Sequence, residues 1–378
     1  MKRHITELFS VFLLWGMSVE AGTCTNCPYQ ETPVYMPYKT YNRPCNSNSC
    51  DSGCQTNDPY CYACNQVCPD ECHFFLGAEG LWWTACENDL DFAADFDAAT
   101  ADILGVGKIH FADYDWNWGV RGWMGWNWCC GWDATVSYTW FKTDGDKFVD
   151  TTEEDISLIA STLHPDTGLT TADTATITLD LKYQAANALF GRTVNFCGDT
   201  LVLHPFIGFH GIILEQEQVY LYEGGDFGTG STATPARVTW DSKLKGAGLI
   251  GGADFNFSSS CGLGILGSIG GSVLASKADV EHLQEILDIT GNVNETDIAL
   301  DEDQCICVPG LHVKAGFGWD FDCGGCLLME LHVLYEFNSY FNTPHLRRYS
   351  FNNVAVSSSG TSGNVTLQGI TVGASIFF

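Results

Sequence analysis

Positive charge is scarce in this chain. Its 378 residues carry 17 Lys and Arg against 46 Asp and Glu, a formal net charge of −29. The clustered cations that nucleic-acid phosphates require are missing, which argues against nucleic-acid partners. Long apolar runs are equally rare. Beyond Met17 no stretch approaches the ~18 residues that a membrane helix needs, so any crossing of a membrane falls to strands. Catalytic signatures are lacking too. No nucleophile motif accompanies the histidines, and the glycine-rich run Gly264 to Gly271 reads as close packing in an exported strand rather than a nucleotide cradle. Neither an enzyme nor a cofactor is expected.

What is present begins with an export signal. Lys2 and Arg3 precede an apolar run from Leu8 to Met17, and Val19-Glu20-Ala21 offers a small-x-small cleavage site, so residues 1–21 read as a signal peptide. All 18 cysteines follow it, and in an exported chain they point to disulfides. Nine of them, Cys24, Cys27, Cys45, Cys50, Cys54, Cys61, Cys64, Cys68 and Cys72, crowd into residues 22–73 among Pro, Asn, Ser and Tyr. That segment has too few aliphatic residues to build a core and reads as irregular. Cys24-x2-Cys27 and Cys61-x2-Cys64 have zinc-compatible spacing, but oxidation competes for the same thiolates and no metal is expected.

From Phe74 the composition turns aromatic and glycine-rich, and it alternates. Ile370, Val372, Ala374, Ile376 and Phe378 share one face of the last strand, as lipid-facing positions of a barrel strand do. Leu76, Ala78, Gly80 and Trp82 oppose Gly77, Glu79, Leu81 and Trp83. Trp132, Ala134, Val136, Tyr138 and Trp140 oppose Asp133, Thr135, Ser137 and Thr139. Repeating this reading gives ten strands (range 10–12) over residues 74–378, an all-β, antiparallel up-and-down transmembrane barrel. Trp82, Trp83, Trp126, Trp128, Trp132, Trp140, Trp319, Phe337 and Phe378 are expected in two interfacial girdles. A soluble sandwich fits the terminal aromatic and the export signal less well.

Between the strands lie long acidic loops, with Asn338 to Ser362 the last of them. Val280, Leu283, Ile286 and Leu287 have helical spacing, which predicts a short surface helix within the outer segment Lys277 to Val308. An even strand count keeps both chain ends on one side, here read as periplasmic, with the long loops outside. The inner turns then hold Cys129, Cys130, Cys197, Cys261, Cys323 and Cys326. Together with the N-terminal segment they place 15 of 18 cysteines in the compartment where disulfides form, and only Cys86, Cys305 and Cys307 in outer loops. Cys323-Gly-Gly-Cys326 sits on a hairpin turn rather than a helix N-terminus, so it reads as a structural clip.

Several segments are familiar in order. Phe75-Leu-Gly-Ala-Glu-Gly-Leu-Trp-Trp83, Trp116 to Trp123 leading to Gly131-Trp-Asp-Ala-Thr-Val-Ser-Tyr-Thr-Trp140, His204-Pro-Phe-Ile-Gly-Phe-His-Gly211 and Leu367 to Phe378 resemble the Legionella-type pore-forming outer-membrane proteins. That family includes major-outer-membrane-protein-like porins of chlamydia-related bacteria. The resemblance spans about residues 74–378 and implies a Gram-negative outer-membrane barrel pore without catalytic residues. The cysteine-rich segment lies outside the usual pattern and suits an envelope stiffened by disulfides.

The leading expectation is a porin passing small hydrophilic solutes or ions, lined by Glu79, Arg121, Asp133, Asp180, Lys182, Lys243, Lys245, Lys314, Glu330 and Glu336. The rival is a structural or adhesive envelope protein whose barrel is a closed anchor, because ten strands leave a lumen that side chains can fill. His204, His210 and His332 are read as polar lumen positions. Expected partners are outer-membrane lipid, the barrel-assembly machinery reading Phe378, and other copies or cysteine-rich envelope proteins joined through disulfides.

Overall fold

The computed structural model describes residues 73–97, 107–128, 131–152, 156–163, 171–196, 201–225, 227, 234–258, 263–322, 328–352 and 355–378. The signal peptide, the cysteine-rich segment and all fifteen disulfide candidates lie outside the described residues. Ten long strands form one sheet: β1 (His73–Glu87), β2 (Asn117–Asn127), β3 (Trp132–Asp150), β4 (Thr174–Arg192), β5 (Leu201–Glu223), β6 (Ala236–Ser258), β7 (Leu263–Leu287), β8 (Val293–Asp322), β9 (Leu328–Asn352) and β10 (Ala355–Phe377). Each pairs antiparallel with the next and β10 pairs with β1, so the sheet closes and leaves no edge in the membrane. The short strand Val194–Phe196 continues β4 past Thr193.

The register fixes the barrel's shape. Partners followed once around from Phe75 are Gly125, Thr135, Leu189, Gly208, Ile250, Ser272, Gly310, Tyr340 and Val365, and the path returns to β1 at Glu87. Residue 75 to residue 87 is a shear of 12, which with ten strands tilts them by about 40°. Positions at equal height therefore step back about one residue per strand along any hydrogen-bonded row.

The lower part of the wall behaves as a membrane span. Val120, Met124, Val136, Ile207, Phe209, Leu249, Val273, Phe317 and Val372 face outward and are exposed. Rings bound this band. Trp82 stacks on Trp118 above, while Trp132 on Phe190, Trp319 on Phe321 and Phe74 near Phe378 lie below. Trp83 does not join the girdle. It points inward, is fully buried, and donates its indole N–H to Thr371 Oγ1 at 3.1 Å.

The strands then run on past the bilayer, reaching 23 residues in β5 and 30 in β8, where a span needs about 9 to 11. The expected loops are therefore mostly wall, and Asn338 to Ser362 is largely β9 and β10. The expected helix is absent. Val280, Leu283 and Ile286 lie on β7, and register shifts at Gln284/Glu285 and Ile286/Leu287 bury Gln284, Glu285, Ile286 and Leu287 in succession. Those irregularities break the two-residue period and imitate helical spacing in the sequence. Cys86, Cys305 and Cys307 likewise sit on β1 and β8 with exposed thiols, rather than in loops.

Above the bilayer the polarity of the wall inverts. Water is now outside, so Asp144, Asp180, Glu217, Asp241, Glu281 and Asp301 form a continuous outward row across β3 to β8. Like charges directly opposite one another oppose pairing. The compensation comes from inside, where Ile177, Leu179, Leu181, Tyr220, Tyr222, Val238 and Trp240 pack in one buried cluster. A small sheet of Ile109–Phe111, Asp91–Asp97, Ile156–Ala160 and Thr171–Ala172 covers that cluster. It contributes Phe92 and Leu158, and the Tyr222 hydroxyl donates to the Phe92 carbonyl at 2.6 Å.

Candidate functional site

The interior divides into an apolar layer and a polar chamber beneath it. The layer lies, by register, at the height of the upper girdle. Trp83, Phe141, Tyr183, Ile212, Leu274, Val308, Tyr340 and Leu367 enter it from eight strands, each at most 4% exposed. The other two strands place glycines there, Gly119 on β2 and Gly246 on β6. A Cβ on Gly119 would stand 3.0 Å from the Phe141 ring, so the glycine makes room for the neighbouring rings. Tyr183 on β4 and Tyr340 on β9 are five strands apart in a ring of ten, yet their hydroxyls are 2.6 Å apart. Side chains thus meet across the diameter of the barrel.

Beneath the layer is a cavity of about 260 Å³, whose lining includes Glu79, Arg121, Asp133, His204, His210, Asp254, His312, Lys314, Glu330 and His332. Its centre is Arg121. The guanidinium donates to Glu79 at 2.6 Å and to both oxygens of Glu336 at 2.7 and 2.9 Å, and lies 5.3 Å from the Trp83 ring. Lys314 approaches Glu336 at 3.5 Å. His332 stands between Glu79 at 2.9 Å and Glu330 at 3.7 Å. His204 meets Asp133 at 2.6 Å through one ring nitrogen and Asp254 at 2.9 Å through the other, an arrangement satisfied by imidazolium, which donates at both. His210 contacts Asn187 at 2.6 Å and the Tyr340 hydroxyl at 3.0 Å, and His312 contacts Ser272 and Asn338 at 3.0 Å each. Among the described residues no group of His, Cys, Asp and Glu has the geometry to hold a metal ion. Arg121, Glu79, Glu336, His204, Asp133, Asp254, His210 and His312 each meet a partner on another strand, which makes a cross-braced network, while His332 Nδ1 faces Glu330 of its own strand at 3.7 Å.

Six of the ten sequence-selected charges lie inside: Glu79, Arg121, Asp133, Lys314, Glu330 and Glu336. The other four do not. Asp180, Lys182, Lys243 and Lys245 alternate with the buried Leu179, Leu181, Ser242 and Leu244 and face outward, because β4 and β6 have reached the height where the outside is wet. Asp254, His312, Tyr183 and Tyr340 escaped the sequence reading. Strand parity places each inside, but nothing in the sequence tells that Tyr183 and Tyr340 meet.

The upper core also buries ionisable groups, Glu87 and His345 among them. Glu87 ends β1 with its side chain fully buried, holding contacts of 3.1 Å from the Tyr114 hydroxyl and 3.5 Å from His345. Burial, opposed by hydrogen bonds from Tyr114 and Gln216, pushes its carboxyl from an ordinary 4.5 up to about 7. A folded-state pKa above the unfolded one means the folded chain binds the extra proton between those values, so stability falls as pH rises from about 4.5 to 7. The shift corresponds to roughly 3 kcal/mol. Glu87→Gln is expected to remove this slope, gaining stability at pH 8 and little at pH 4; urea unfolding at both values checks it.

The geometry so far is that of an outer-membrane barrel, and the sequence names which kind. The family described as the Legionella pneumophila major outer membrane protein precursor matches residues 67–378. The chain belongs to this family. Among curated proteins none matches it. Among solved structures, the outer membrane protease OmpT from Escherichia coli is similar at 10% identity over 83% of this chain and 98% of that one, with a TM-score of 0.45. A Pseudomonas aeruginosa FadL homologue is similar at 8% identity over 82% and 90%, with a TM-score of 0.25. This member of the major outer membrane protein precursor family is thus an outer-membrane barrel whose lumen is filled in its upper part.

Proposed function

We propose that the protein is an envelope anchor, a barrel closed to solutes at rest, held by disulfides at its short-turn end and presenting a tall acidic wall at the other. The carrying observation is the Tyr183–Tyr340 contact across the barrel within a layer to which every strand contributes. The interior histidines and carboxylates brace strands, with Ser272, His312 and Asn338 linked in the same way across three strands, which supports a structural role for the chamber. The export signal, the acidic long hairpins and the sequence positions of the cysteines, ahead of β1 and in the short connections, support an orientation with both termini periplasmic. Tags inserted at Gly291 or Gly225 are expected to be reached by antibody on intact cells and a tag at Gly131 is not; labelling at Gly131 would reverse the orientation.

The anchoring half of the proposal rests on cysteine number. Closure already satisfies the strand backbone, so nine cysteines ahead of β1 in the sequence and six more between its strands exceed what the barrel requires. Non-reducing gels of envelopes, with thiols alkylated during lysis, are expected to show high-mass species that collapse to monomer with reductant. Monomer without reductant would confine the bridges to the chain and remove the anchoring role.

A porin remains the second reading, favoured by the charged chamber below the layer. A polar, ionisable lumen is what water-filled barrels present, and its family's description as a major outer membrane protein accords with it. Conduction then requires the layer to part.

A further inference from the structure

The outer wall of β4 to β8 carries a shallow trough of about 1140 Å³ that faces away from the chamber. Its floor consists of Ala186, Gly211, Ala247 and Ala275, which are successive cross-strand partners. One row toward the lower girdle, Phe209, Leu249 and Val273 stand out as an apolar wall, exposed by 58 to 69%. One row toward the upper end, Lys245 and Lys277 are cross-strand partners on the rim.

Strand tilt gathers further cations at that height. Stepping back about one residue per strand brings Lys142 and Lys182, themselves partners, level with Lys245 and Lys277, just above Trp118 and Trp140. The chain has only 17 Lys and Arg, so four at one height on four strands is a concentration. Lys142, Lys182 and Lys277 are partly occupied by Asp180 at 2.6 Å, Glu215 at 3.1 Å and Asp279 at 2.7 Å. Lys245 has no ion-pair partner among the described residues. The four lie on the membrane side of the carboxylate row, at the level of a headgroup phosphate. An apolar trough capped by cations is complementary to an acyl chain ending in an anion.

We propose that this trough seats a phosphorylated, multi-acyl lipid of the outer leaflet, with a chain along the Ala–Gly floor and its phosphate on Lys245 and Lys277. A second copy of this chain fits less well, because it would bring a matching acidic wall against Glu217, Asp241 and Glu281. The inference rests on the barrel spanning the outer membrane and stands whether or not the barrel conducts.

The test is native mass spectrometry of the full-length protein in detergent micelles, with bisphosphorylated lipid A, dephosphorylated lipid A and phosphatidylethanolamine as probes. Bisphosphorylated lipid A is expected to stay bound, roughly 30-fold more tightly than to Lys245→Ala/Lys277→Ala, or about fivefold per lysine. Ala247→Trp, which fills the floor, should lose it as well, and Lys147→Ala should not. Migration of unheated samples on gels confirms that each variant is folded. Equal retention of dephosphorylated lipid, or of the double variant, would overturn the phosphate assignment. Displacement by inorganic phosphate alone would reduce the site to a free-anion site and overturn the lipid. A dimer abolished by Ala247→Trp would assign the trough to a second copy instead.

Discussion

Cutting Trp83 and Tyr340 back to alanine together is expected to make the barrel conduct. The two side chains enter the apolar layer from β1 and β9, and neither leaves a path for water past it at 0% exposure. Tyr340 also holds the contact to Tyr183 on the far wall at 2.6 Å, and Trp83 packs on Phe141 with ring centroids 5.7 Å apart. Removing both opens a passage between the chamber and the upper core, lined in part by Thr371 and His210. Each truncation costs about 3 to 5 kcal/mol through lost burial and an unfilled cavity, and the hydrogen-bonded wall keeps the barrel closed as a sheet. Folded double variant inserted in planar bilayers should show discrete current steps. A folded variant as silent as its parent would mean that the barrier is the packed cluster under the small sheet rather than the layer.

Arg121 is the second position where one side chain carries a large effect. It is a buried cation shared by Glu79 and Glu336, and Glu336 itself is fully buried. Arg121→Met leaves two carboxylates facing each other with their strongest partner gone, Lys314 remaining at 3.5 Å from Glu336 and His332 at 2.9 Å from Glu79. Breaking a buried pair on one side costs about 3 to 5 kcal/mol, because the remaining charge has no partner. Neutralising the survivors should recover most of that. Arg121→Met/Glu79→Gln/Glu336→Gln is therefore expected to unfold in urea near the parent, well above the single variant. A single variant within about 1 kcal/mol of the parent would show that water enters the chamber freely and solvates the acids.

The sequence makes the barrel legible because lipid imposes a strict period of two. Ile370 to Ile376 on β10 and Leu331 to Phe337 on β9 could be read face by face, and the ten-strand count follows from such runs. Legibility fades at the height where the solvent changes sides. Asp180 and Lys182 obey the same alternation as Asp133 and Thr135, but with water outside and a packed core inside, so a charged side chain there points away from the lumen. The strand's height relative to the bilayer decides this, and height depends on shear, which no single strand reveals. The bulges at Gln284 and Ile286 add a local failure, since they erase the period that marks a strand. The closure of the lumen was illegible for a related reason. Tyr183 and Tyr340 are 157 residues apart, and only the closed ring brings β4 and β9 face to face across a width that two tyrosines can span.

The most direct measurement of whether this barrel is shut is the conductance of the purified, full-length, unmodified protein in planar lipid bilayers, with insertion confirmed by protease protection of the same preparation. A closed anchor predicts a quiet baseline at low voltage. A steady ohmic current from each inserted barrel would contradict the closed layer and establish the chamber as part of an open pore.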